Sequence, residues 1–276
     1  RRTYLADMEG LPPSTLCVDL EVTGHTRGAK YELKKLFPEY PVTDLFSTPK
    51  PTLLIKYLLT LGTDKDSLVM DFFSGSGTTA DAVMQLNAEE AGNRKFILVQ
   101  LAEPCTGNTS FSNICEMGKE RIRRAGRKIK EDAGLTAPAD LDIGFRCLRL
   151  DSSNMENVYY TPEETQQQDL FSLVDNVKPD RTPEDLLFQV MLDLGVLLSS
   201  PIEVKEIAGK KVFNVADGFL LACFDHDVTE ETVKDIAQMK PYYAVFRDSS
   251  MANDSVATNF DQIFETYSPE TVRKVL

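Results

Sequence analysis

The hydrophobic and polar positions of this chain follow two periods in turn. Residues 52–61, T-L-L-I-K-Y-L-L-T-L, are apolar on nearly every side of a helical turn, which predicts a largely buried helix. Pro51 falls at or near its first position, where a missing N–H costs nothing, and Gly62 is placed to cap its end. Residues 68–72 (L-V-M-D-F) are a short apolar run that predicts a strand, and residues 80–87 predict a helix behind it. Residues 95–101 (K-F-I-L-V-Q-L) predict a second buried strand that ends at Glu103-Pro104. Residues 113–130 have the period of a long, strongly basic helix, and residues 144–150 that of a third strand. Helix and strand alternate in this order, which implies parallel β/α units. Residues 1–45 show little periodicity: prolines and glycines punctuate them, and only residues 31–36 predict a helical turn.

Residues 151–183 break the pattern. Asn, Gln, Pro and acidic side chains dominate and only residues 170–174 are apolar, which predicts an interdomain linker over 152–182. Periodicity resumes with Thr182 as an N-cap and Pro183 at the first helical position. Short strands are predicted over 204–207, 211–215, 219–224, 242–246 and 271–276, with helices over 229–239 and 256–266. The fold class is α/β: an irregular segment over 1–45, a first domain over 46–151, the linker, and a second small α/β domain over 183–276.

Charge sharpens this division. Residues 1–150 balance 20 basic against 20 acidic side chains, whereas residues 151–276 hold 10 against 23. The acidic half is poorly suited to gripping a phosphate backbone. The first half concentrates its basic residues in K-E-R-I-R-R-A-G-R-K-I-K, residues 119–130. This stretch reads either as a phosphate-contacting helix or as a solvated face with Ile114, Ile122 and Ile129 turned inward, and the second is the commoner use of such a run. The five cysteines are scattered and form no C-x-x-C pair, and there are two histidines. Neither a zinc site nor a disulfide framework is expected, and reduced thiols in a cytoplasmic protein are. No run approaches a membrane span.

The chemistry gathers at residues 67–79, S-L-V-M-D-F-F-S-G-S-G-T-T. A strand, a glycine turn and a helix N-terminus in succession let backbone approach a ligand closely and present unpaired N–H groups to it. Gly75 to Ala80 also fit G-x-G-x-x-A, so a nicotinamide-dependent oxidoreductase is one reading, with Glu103 on a ribose diol. Asp71, four residues ahead of Gly75, suits an ammonium group instead, and Lys50 can meet a carboxylate. An amino acid joined to a ribose describes S-adenosylmethionine. Asp71 can equally brace the loop, and Lys50 can be a solvated lysine.

Three blocks, P-K-P-T-L-L-I-K-Y-L-L (49–59), D-F-F-S-G-S-G-T-T (71–79) and N-R-K-F-I-L-V-Q-L-A-E (93–103), resemble the amino-methyltransferases of DNA whose cofactor motifs follow the catalytic motif. G-H-T-R-G-A-K-Y-E-L-K-K-L-F (24–37), G-F-R-C-L-R-L-D-S-S-N (144–154), K-P-D-R-T-P-E-D-L-L-F (178–188) and V-F-R-D-S-S-M-A-N-D-S-V-A-T-N (245–259) resemble the modification (Mod) subunits of type III restriction–modification systems. The resemblance implies a partial S-adenosylmethionine-dependent, Rossmann-like sheet and N6-adenine methylation of double-stranded DNA. It also implies a restriction (Res) subunit as partner, and a homodimer of the full-length subunit.

By the same resemblance the cofactor-binding set is Lys50, Pro51, Asp71, Phe72, Phe73, Ser74, Gly75, Gly77, Thr78 and Glu103. Phe72, Phe73 and Ser74 would wrap the cofactor, and Gly75 and Gly77 would let it come close. Asp71 would face its amino group, Lys50 its carboxylate and Glu103 its ribose. Ser74 stands where the family has Ala. The family's catalytic D-P-P-Y lies N-terminal to these blocks, and no such stretch occurs here. A C-terminal fragment is therefore expected, holding the methyl-donor site, lacking catalytic residues and inactive alone. The alternative from a different class is a non-catalytic interaction or assembly module.

Overall fold

The computed structural model describes residues 16–105, 107, 109–134, 138, 141–156 and 176–276. Its backbone gathers into two units, Arg1–Phe145 and Arg146–Leu276, in a mixed α/β fold with two sheets. Among the described residues no helix is long and apolar enough to cross a membrane.

In the first unit, α1 (Leu20–Thr23), α2 (Thr26–Leu36) and α3 (Thr52–Gly62) precede β1 (Leu68–Asp71), α4 (Thr78–Glu90), β2 (Lys95–Leu98) and α5 (Ile114–Ala133). The segment expected to be irregular therefore contains two helices. Asp19 caps the first by accepting from Glu21 N–H, and the His25 Nδ1 caps the second by accepting from Gly28 N–H at 2.8 Å. Leu33 is buried in α2 and Phe37 just beyond it, in a cluster with Leu45 and Met117. A histidine cap ahead of that short apolar stripe was the available signal.

Strands β1 and β2 are parallel, with Leu68 opposite Lys95 and Asp71 opposite Leu98, and α4 makes the crossover. Val69, Phe96 and Leu98 point inward against Leu86, Met84 and Ile122 of α4 and α5. The alternate positions Leu68, Met70 and Ile97 are exposed. Helix α3 is less buried than its composition suggests: Leu53, Leu58 and Leu61 face solvent, and Thr63 rather than Gly62 caps its end. The expected third strand over 144–150 forms no ladder. Ile143 and Phe145 pack against the cluster that α5 shares with α4, while Leu148 and Leu150 are exposed.

The second unit has α6 (Pro183–Asp193), β3 (Ile202–Ile207), β4 (Lys210–Val215), β5 (Leu220–Cys223), α7 (Glu230–Gln238), β6 (Tyr243–Phe246), α8 (Asp254–Tyr267) and β7 (Val272–Val275). Thr182 and Asp185 form a reciprocal capping box with Pro183 in the first turn of α6. Ala208 and Gly209, both at positive φ, join β3 to β4, as a two-residue hairpin of matching twist requires. The sheet order is β3-β4-β5-β6-β7, antiparallel to β5 and parallel from there on. Leu220, Ala222 and Val245 face one cluster with α6, and Leu221, Cys223, Ala244 and Phe246 face another with α7 and α8. Residues 157–175, including the apolar run at 170–174, lie outside the described residues.

Candidate functional site

The glycine loop stands at the carboxyl end of β1, where parallel strands present their ligand sites. Its curvature comes from Gly75 and Gly77, both left-handed at φ 51° and 78°. A Cβ on Gly75 would lie 3.3 Å from the Phe46 ring, and one on Gly77 would lie 3.4 Å from the Gly118 carbonyl of α5. Only glycine combines these dihedrals with such close neighbours.

Much of the loop's own hydrogen-bonding capacity is used in holding it. Ser74 N–H donates to the Val99 carbonyl, Gly75 N–H to Gln100 Oε1 at 2.7 Å, and Gly77 N–H to the Ser74 carbonyl at 2.8 Å. Asp71 accepts from Phe73 N–H at 3.1 Å on one oxygen and from the Thr79 hydroxyl on the other. The carboxylate is thus a brace for the loop, with lone pairs left over. Phe72 and Phe73 project from this framework, their ring centroids 5.2 Å apart, and Phe73 is 85% exposed. Two bare aromatic rings beside a glycine turn are unusual for residues that bury readily.

Pro51 is buried and is the N-cap of α3, whose Thr52 N–H donates to Glu32. Lys50 is exposed. Glu103 is exposed too and lies beyond the strand end expected for it, because β2 stops at Leu98. Its backbone is anchored instead by Ile114 N–H donating to its carbonyl at the start of α5. Thr78 is buried, its hydroxyl turned away from solvent.

It is turned toward Arg121, which sequence reasoning left among the surface cations of α5. Arg121 is fully buried. Its guanidinium donates to Ser76 Oγ at 3.1 Å, to Thr78 Oγ1 at 2.7 Å, to Thr52 Oγ1 at 3.3 Å and twice to Asp81 Oδ2. A signal for it existed. Position 121 follows Ile114, Met117 and Gly118 by seven, four and three residues, so it belongs to the inward stripe of α5. Gln100, which fixes Gly75, was also missed.

Of the other cations of α5, Arg123, Arg127 and Lys128 lie on a solvated face, while Arg124 is half-buried over the Phe37 ring. Glu120 sits among Arg123, Arg124 and Arg127, and its hydrogen bond from Arg124 holds its carboxyl below the usual carboxylate range. Lys128 pairs with Asp132 and Lys119 with Glu116, while Ile114 and Ile122 are buried and Ile129 packs against the core.

Residues 20–127 match the family described as DNA methylase. The StyLTI Mod subunit of a type III restriction-modification enzyme from Salmonella typhimurium is 42% identical over 125 residues, which are 44% of this chain and 18% of that protein. The EcoP15I Mod subunit of Escherichia coli is 32% identical over 222 residues, 77% of this chain and 31% of that one. The EcoPI Mod subunit of Escherichia phage P1 is 35% identical over 153 residues, 54% and 22% respectively. The chain thus spans between 18% and 31% of the length of these relatives.

Proposed function

We propose, from the match of residues 20–127 to the DNA methylase family, that this chain holds the methyl donor of a type III Mod-like, adenine-N6 DNA methyltransferase. The donor is S-adenosylmethionine, and its sheet is a partial Rossmann-like one. The observation that carries this reading is the pair of exposed rings, Phe72 and Phe73, beside two left-handed glycines at a parallel strand end.

The donor set fits this ligand better than a dinucleotide. A pyrophosphate draws on loop amides, and three of those here, on Ser74, Gly75 and Gly77, are already engaged. The aromatic rings offer faces on which a purine can stack. Asp71 has lone pairs left for an ammonium group, Glu103 can accept from ribose hydroxyls, and Lys50 can pair with a carboxylate. Pro51 and Ser74 would line the site, Gly75 and Gly77 would allow close approach, and Thr78 would start the helix behind it. When bound, S-adenosylmethionine supplies an activated sulfonium methyl group.

The substrate of the longer enzyme is the exocyclic amine of adenine in double-stranded DNA. That amine is out of reach inside the duplex, so the base must be flipped. Aligning it with the methyl group supplies most of the catalysis. A restriction subunit and a second copy of the modification subunit are the partners, in the cytoplasm. These 276 residues contain no D-P-P-Y, so this chain is assigned donor binding and no residue that orients the amine.

Titration calorimetry of the chain with S-adenosylmethionine and with NAD tests this. One-to-one uptake of S-adenosylmethionine, weakened by Asp71→Ala and by Phe73→Ala, is expected, with no uptake of NAD and no methylation of DNA. Uptake of NAD instead would overturn the assignment.

A further inference from the structure

The buried guanidinium of Arg121 would touch no ligand, yet the geometry points to it as the positioning residue that fixes the glycine loop in its donor-binding shape. This rests on the donor-binding reading above. Arg121 lies midway along α5, and its five N–H donors have five hydrogen bonds. They run to two separate pieces of chain: Thr52 at the start of α3, and the continuous stretch that carries Ser76 of the loop with Thr78 and Asp81 in the first turn of α4.

The placement of Ser76 gives this arrangement its consequence. Ser76 is the residue between the two left-handed glycines, and its hydroxyl accepts from Arg121 at 3.1 Å. The loop is held at other points by Gln100, through Gly75 N–H, and by Asp71, through the Thr79 hydroxyl. A glycine turn is conformationally permissive, so a loop not held in this way would have to be ordered by its ligand, at the ligand's expense in affinity. Arg121 orders it beforehand. Packing alone does not call for such a residue, because a buried ion pair replaced by well-packed apolar side chains is often no less stable. The planar fork is what reaches Ser76, Thr78, Thr52 and Asp81 together, and a lysine cannot span them.

The test compares Arg121→Lys and Arg121→Met with Leu86→Ala in the 276-residue chain. Leu86 is buried in α4 against Leu59 and Val83, away from the loop, and its truncation lowers stability without loosening residues 74–79. Calorimetry with S-adenosylmethionine is expected to give a Kd raised about tenfold or more for both Arg121 variants and within about twofold of wild type for Leu86→Ala. Hydrogen exchange without ligand is expected to speed up at residues 75–78 in Arg121→Lys, with the later turns of α4 unchanged. If Arg121→Met does not fold, Arg121→Lys keeps a charge opposite Asp81 and carries both measurements. Wild-type affinity in Arg121→Lys, or unchanged exchange at 75–78, overturns the positioning role. If wild type takes up no S-adenosylmethionine, the donor-binding reading fails. The exchange measurement then still decides whether Arg121 holds the loop.

Discussion

The two sheets of this protein treat their apolar side chains in opposite ways. In β1 and β2 every second residue is bare, with Leu68 and Met70 at 62% and 60% exposure, although parallel strands are ordinarily covered on both faces. At the centre of the sheet β3–β7 both faces are covered: β5 is buried at all four positions, its residues alternating between the α6 cluster and the α7–α8 cluster. The second unit therefore carries a core of its own on each side. The first buries one face of its sheet and commits much of its polar bonding to holding a loop. The acidic unit covers both faces of its central strand, and the candidate chemistry lies in the neutral one.

The largest effect expected to separate them comes from truncating one side chain in each sheet. Phe246→Ala removes a fully buried ring packed edge-on against Phe260 and should cost about 3–5 kcal/mol. Met70→Ala on the bare face should cost less than about 1 kcal/mol. Urea denaturation measures both. Alkylation of Cys223, a thiol pushed up to about 11 by burial, reports opening of the second unit directly. Equal costs for the two truncations would show that the face of Met70 is covered in solution.

Glycine turns sharpen the contrast at a smaller scale. Gly77→Ala meets both a left-handed φ and the Gly118 carbonyl, and should destabilise by about 2 kcal/mol. Gly209→Ala in the β3–β4 hairpin meets the same kind of dihedral with no atom within 4 Å, and should cost about 1 kcal/mol. Gly77→Ala should in addition weaken S-adenosylmethionine uptake in calorimetry, which Gly209→Ala should leave alone.

The smallest effect is a pH-dependent one at the cap of α6. Backbone and side-chain hydrogen bonds from Thr182 hold the Asp185 carboxyl below its usual range. Its contribution is thus complete above the ordinary carboxylate pKa and is lost as pH falls through the depressed one. Asp185→Ala should cost about 0.5–1 kcal/mol at neutral pH. The difference from wild type should shrink toward acid in denaturation midpoints recorded against pH.

Which features were legible in the sequence follows from the range over which each is specified. The strand, the glycine loop and α4 could be read because an apolar run, two glycines and a helical period are consecutive in the chain, and backbone preference acts over a few residues. The Thr182–Pro183 start of α6 was legible for the same reason. The strand over 144–150 was misread because its alternation is real but a ladder needs a neighbour, which no local pattern supplies. Glu103 was placed at a strand end for want of knowing that β2 stops at Leu98, where pairing with Asp71 ends.

By itself, then, the sequence determined the strand–loop–helix run around the two glycines, the start of α6, and the methylase resemblance carried by contiguous blocks. Tertiary structure alone decided that Asp71 braces the loop, that Phe73 is bare, and that Arg121 is a buried tie among cations that are mostly solvated. Burial and hydrogen bonding depend on what lies opposite a side chain. Asp81 and Ser76 lie forty and forty-five residues from Arg121 along the chain, and only folding brings them together.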